Sequence, residues 1–137
     1  MAETGFNWDA AFTAIDASIV LTQGGTITDT SAAISLDGKA ACEVSITAAY
    51  SNDAKATSGL TVSVLRTYDA TNYQVAADLP WAVEMVFTQN ATRIFVFAID
   101  PGQVGSFQIL LTWGNTTGGS AVTVATAYRA ATIPKAS

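Results

Sequence analysis

Asp69 and Asp78 bracket a loop that also carries Asn72 and Tyr73, and Asp100 stands just before Pro101-Gly102. Two carboxyl groups roughly 5–10 Å apart are what a glycosidase needs, one as acid and one as base or nucleophile. Oxygens from Asp69, Asn72 and Asp78 would also suit a calcium ion, which takes carboxylate and carbonyl ligands. The competing use of these residues is local. An Asp beside Gly, Asn or Pro accepts hydrogen bonds from nearby backbone N–H groups and starts a turn. The loop has no Asp-x-Asp-x-Asp-Gly pattern, so turn chemistry is the expectation. No catalytic residue, metal ligand or cofactor is assigned.

Other routes to chemistry close quickly. The chain has no histidine and a single cysteine. That removes Ser-His-Asp and Cys-His catalysis, nearly all structural zinc sites and any internal disulfide. Cys42 falls in phase with Val44 and Ile46, which reads as a small core residue. Trp113 shares the phase of Phe107, Ile109 and Leu111, and Trp81 that of Val83, Met85 and Phe87, so both are expected in the core. Trp8 and Tyr73 are left as the exposed aromatics, and two dispersed aromatics do not make a sugar-stacking platform. Asn90-Ala91-Thr92 and Asn115-Thr116-Thr117 match the glycosylation sequon. In a threonine-rich chain they read as turn chemistry.

The elements that would position these residues are short strands. Leu60 to Arg66 alternates with Leu60, Val62 and Val64 on one face, and Ala41 to Thr47 does the same. Phe107 to Trp113 and Ala121 to Thr126 flank Gly114-Asn115-Thr116-Thr117-Gly118-Gly119, which predicts a hairpin. Trp81 to Phe87 and Ile94 to Ile99 flank Gln89-Asn90-Ala91-Thr92, which predicts another. Asp37-Gly38 and Gly24-Gly25 mark turns after Ile34 to Leu36 and Ile19 to Leu21. About eight strands with no long helical pattern predict an all-β, antiparallel, jelly-roll-like β-sandwich over residues 16–132. Residues 133–137 form a tail and residues 1–15 an arm. In that arm Trp8, Phe12 and Ile15 fall at helical spacing, which predicts a two-turn helix over Asn7 to Ile15 capped by Asn7.

Composition points to a covered surface. Only 12% of the 137 residues are charged, against about 25% in ordinary soluble domains. The net charge is −5 and the six basic residues are dispersed, which disfavours nucleic acid. No apolar run reaches the ~18–20 residues that span a bilayer, so no membrane partner is expected. The first residues carry neither a basic nor an apolar signal region, so no secretory signal is expected. Thr123, Ala125 and Ala127 line the face of their strand opposite the valines. Exposed sheets usually protect themselves with Lys, Glu or Pro, so this face is expected to meet another subunit.

Three segments carry a resemblance: Ser58 to Arg66, Pro80 to Met85 and Trp113 to Gly118. They resemble the small β-sandwich virion proteins of tailed bacteriophages, best the capsid decoration or cement proteins. The resemblance spans roughly Leu60 to Tyr128. It implies a non-enzymatic homo-oligomer, a trimer at local symmetry axes, bracing the major capsid protein on the virion surface after assembly in the host cytoplasm. It further implies an N-terminal arm anchored on a neighbour through Trp8, Phe12 and Ile15. The partner-contact residues expected are therefore Trp8, Phe12, Ile15, Tyr73, Thr123, Ala125 and Ala127. A carbohydrate-binding or adhesin module, which requires an exposed aromatic pair, is the alternative, and a phage tail-tube or fibre subunit is another.

Overall fold

The computed structural model describes residues 6–51, 58–67, 69, 71–101, 105–114 and 120–133. Ten strands form two antiparallel five-stranded sheets. The first sheet joins β1 (Asn7–Trp8), β2 (Thr13–Thr22), β5 (Ala41–Tyr50), β8 (Thr92–Ile99) and β10 (Ala121–Thr132). In it β10 pairs with β5 on one side and with β2 and β1 on the other, and β8 closes the far edge against β5. The second sheet joins β3 (Thr28–Thr30), β4 (Ile34–Ser35), β6 (Leu60–Arg66), β7 (Ala82–Met85) and β9 (Ser106–Trp113). Here β9 lies between β6 and the short pair β3 and β4, while β7 forms the opposite edge.

Alternation in the sequence decides which side chains meet between the sheets. Val44, Ile46 and Ala48 of β5 face inward with Val122 and Val124 of β10. Leu60, Val62, Ile109, Leu111 and Trp113 close on them from the second sheet, forming one continuous core. Each of the Val, Leu and Ile side chains contributes about 1.5–3 kcal/mol by leaving water. Cys42 and Trp113 are buried in this core, as their phase predicts.

Two expected hairpins are not formed. β9 and β10 belong to different sheets, as do β7 and β8. The turn between β7 and β8 places Asn90 at φ 56° and carries the chain from one layer to the other. Turn residues announce that the chain reverses, but not which layer receives the next strand. The loop over 115–119 lies outside the described residues. Gly24 (φ 89°) and Gly38 (φ 75°) occupy the left-handed region that glycine adopts freely, and both also hand the chain between sheets.

The helix expected over Asn7 to Ile15 is replaced by strand. Asn7 and Trp8 pair with Thr132 and Ala131, and Thr13 begins the ten-residue β2. A helix that short has little stability of its own, and the free edge of β10 offers ladder hydrogen bonds instead. Among the described residues the one helical piece is a 3₁₀ turn at Ala76–Asp78.

Candidate functional site

The outer face of the first sheet is nearly without charge. Outward positions are Ile94, Val96 and Ala98 on β8, Ser45, Thr47 and Ala49 on β5, and Thr123, Ala125 and Ala127 on β10. Ile94 is 68% exposed, and Val20 on β2, opposite Thr123, is 57% exposed. The charges on these three strands' outer positions are Glu43 and Arg129, which pair with each other at 3.3 Å.

At that end of the face the N-terminal residues gather. The Arg129 guanidinium lies 5.0 Å from the Trp8 ring and 5.1 Å from the Phe12 ring. Cations are drawn to aromatic faces by the ring quadrupole. Arg129 thus holds the segment that carries both rings, while its buried Nε has no hydrogen-bond partner.

A second surface runs along the open side of the sandwich where the edges β7 and β8 approach. One cleft there, of about 140 Å³, is lined by Val64, Arg66, Trp81, Phe97, Ile99 and Asp100 among others. A second, of about 230 Å³, is lined by Val83, Glu84, Met85, Arg93, Ile94 and Phe95 among others. Trp81 is 52% exposed, and its ring lies 5.0 Å from that of Phe97 at 42°, with Phe95 stacked beyond at 5.5 Å. Trp81 was expected in the core. It sits instead just before β7, an edge strand of only four residues with no further strand beyond it among the described residues. Arg66 donates to the Asp100 carbonyl at 2.7 Å, fixing the polar rim. Just before Trp81, Leu79 is held at φ 53° and is 88% exposed. A bulky residue in the left-handed region costs about 1 kcal/mol or more, so this loop presents an apolar side chain at a local energetic cost.

No protein family matches the chain, and no curated relative matches it. A solved structure described as "CBM4 structure and function" aligns over 89% of this chain and 77% of its own, at 16% identity and a TM-score of 0.47. That likeness is one of fold, the two-sheet antiparallel sandwich.

The structure brings together some of the residues expected at a partner surface and separates others. Thr123, Ala125 and Ala127 share the outer face of β10, and Trp8 and Phe12 join its end through Arg129. Ile15 packs against the core. Tyr73 is half-buried and pairs with Thr67 in the loop between β6 and β7, away from that face. In the same loop the Asp69 carboxylate accepts the N–H groups of Thr71 and Asn72 at 2.9 and 2.7 Å, and the Asn72 side-chain amide at 2.7 Å. These bonds, the Asn72 backbone first, hold its carboxyl well below the usual range. The Asp78 carboxylate accepts Val75 N–H at 2.8 Å. Both acids serve their turns. No group of three or more acidic, His or Cys residues suited to a metal occurs among the described residues.

Sequence reasoning missed the β8 surface, although its signal was present. Ile94 to Ile99 is apolar at every position. Such a run belongs to a strand covered on both faces, and this chain covers only one of them.

Proposed function

We propose that this chain is a non-enzymatic structural subunit that works by being covered: a β-sandwich that assembles with its own copies and braces the coat lattice on the outside of a phage capsid. The observation that carries the reading is the outer face of the first sheet, where small and aliphatic residues replace the charges that normally protect a sheet exposed to water. The segments resembling capsid decoration proteins supply the kind of lattice. Many repeated weak contacts would give such a subunit its hold, since linked sites raise avidity without new interactions.

The test is co-sedimentation with capsids built from the coat protein of the same genome. Binding that saturates at a fixed number of copies per capsid, and is weakened by Thr123→Lys with Ala125→Lys, is the expected result. A chain that stays in the supernatant would sink the capsid reading.

A second reading rests on one specific observation. Exposed Trp81 and half-buried Phe97 form an aromatic pair beside Arg66 and Asp100, and an aromatic face with polar groups at its rim suits a saccharide. Glycan-array binding lost in Trp81→Ala is the result that would favour it. Silence on the array favours the structural subunit.

A further inference from the structure

The two open sides of the sandwich carry complementary surfaces. On one side, β8 pairs only with β5 among the described residues, with Trp81, Ile94 and Val96 exposed. Arg93 leaves the same strand from the face opposite Ile94 and Val96, and its guanidinium donates to the Thr88 hydroxyl at 2.6 Å. On the other, β2 pairs only with β10 among the described residues, with Phe12, Val20 and Ile27 exposed and Asp16 and Asp29 close by. The β8 side therefore offers apolar groups with Arg93 on its edge strand, Glu84 of β7 lining the same cleft, and the other side offers apolar groups with two carboxylates. Among the described residues none of Arg93, Asp16 and Asp29 has an ion-pair partner within the chain.

Strand direction adds an independent constraint. Across the first sheet the order β2, β10, β5, β8 alternates in direction, so the two edge strands run opposite ways. A second copy placed beside the first in the same orientation would set its β2 antiparallel to β8 and continue the ladder. Register then decides which groups meet. Arg93 lies level with Ala48, Val124 and Ile19, while Asp16 lies level with Thr126, Ile46 and Phe95, two positions along. An unstaggered contact makes Arg93 and Asp16 diagonal neighbours, about 7–8 Å apart at the backbone and within reach of a long side chain. On the outer face the same contact sets Ile94 diagonal to Val20.

We infer that copies of this chain associate head to tail, the β8 edge of one against the β2 edge of the next, with Arg93 facing the Asp16–Asp29 pair across the contact. The occupant of each free edge is a second copy. A partner-free pair of long, apolar strand edges invites pairing, and the opposite charges select unlike edges over like ones. Two β2 edges would bring four carboxylates together, and two β8 edges would bring two guanidiniums together. Burial, with help from Asp29, already raises the Asp16 carboxyl above its ordinary value, a state that an incoming cation relieves. A contact between unlike surfaces closes into a ring of three or more copies, or runs on as a filament.

The inference deepens the assembly reading and rests on it for its purpose, but its test needs no capsid. Light scattering on the chain alone reads the contact, so its failure and a failure of capsid binding are separate results. The expected mass is at least three times 14.2 kDa. Arg93→Glu drops the mass to that of one copy at the same concentration, and so does Asp16→Lys with Asp29→Lys. Combining all three substitutions restores it. Circular-dichroism melting of each variant confirms that the sandwich is retained. A wild-type monomer or dimer overturns the inference, as does an oligomer that neither reversal disturbs or that the combined variant fails to rebuild.

Discussion

The Tyr50 hydroxyl donates a 2.6 Å hydrogen bond to the Met85 carbonyl and accepts one from the Leu60 N–H at 3.0 Å. Tyr50 ends β5 in the first sheet, whereas Leu60 and Met85 face each other across β6 and β7 in the second. One buried oxygen therefore ties the two layers together, with the Tyr50 ring stacked 5.7 Å from Trp113 and edge-on to Phe87 at 5.0 Å.

Tyr50→Phe keeps the ring contacts and removes only that oxygen. Leu60 N–H and Met85 C=O then lose a buried partner, at a cost of about 1–3 kcal/mol. Urea unfolding should show a lower midpoint with an unchanged slope. An unchanged midpoint would mean that the sheets are held by apolar contact alone.

Gly59 sits under the same junction. A Cβ added there would lie 1.6 Å from the Met85 carbonyl oxygen, a backbone atom that cannot swing aside. Gly59→Ala should therefore push β6 from β7 and cost about 1–3 kcal/mol or more. The Gly59 N–H bond to Glu84 at 2.8 Å would be disturbed with it. Thermal melting of Gly59→Ala beside Gly114→Ala, where an added Cβ meets nothing within 4 Å, separates this close approach from a general glycine effect.

Much of this architecture is legible in the sequence, and the rest is hidden for identifiable reasons. Leu60 to Arg66 is a strand at the expected bounds because Leu60, Val62 and Val64 alternate with Thr61 and Ser63, although Leu65 breaks the pattern and is buried on the other face. Layer assignment is not legible, because Gln89-Asn90-Ala91-Thr92 reads alike whether it joins paired strands or crosses between sheets. Trp8, Phe12 and Ile15 satisfy a helical period by chance of spacing, and the free edge of β10 outcompetes the helix. Trp81 has the phase of buried neighbours, yet phase reports which face a side chain takes and not whether anything covers it. Thr123, Ala125 and Ala127 are legible as an outer face because β10 is regular against β5.

Arg129 offers a separate handle on the N-terminal segment. Its guanidinium meets Trp8 and Phe12, and a cation over an aromatic face is worth about 0.5–2 kcal/mol. The partly exposed pair with Glu43 adds less than about 1 kcal/mol. Arg129→Ala should loosen β1 and leave the core intact. Hydrogen exchange should then quicken at Asp9, whose N–H donates to the Ala130 carbonyl at 2.9 Å, with little change at Val62 or Leu111. Arg129→Gln, which keeps much of the stem but no charge, should behave like the alanine variant. Protection at Asp9 that survives both substitutions would assign the hold to the backbone pairing.

The buried thiol makes stability depend on alkaline pH. Burial, and secondarily the Glu43 carboxylate, push the Cys42 thiol up to about 11, because the folded core disfavours a thiolate. In the unfolded chain the thiol titrates near its ordinary value of about 8.5. Its contribution is therefore fully present below the unfolded value and is lost as pH rises through about 11, where the unfolded state has already gained by ionising. Tyr50, also raised chiefly by burial, acts in the same direction at higher pH. The wild-type urea midpoint should fall from about pH 8.5 upward. Cys42→Ala starts lower because it leaves a cavity, but its midpoint should decline less over the same window. Parallel pH profiles for the two proteins would remove Cys42 as the source. Consistent with burial, a thiol reagent at neutral pH should label Cys42 only after unfolding.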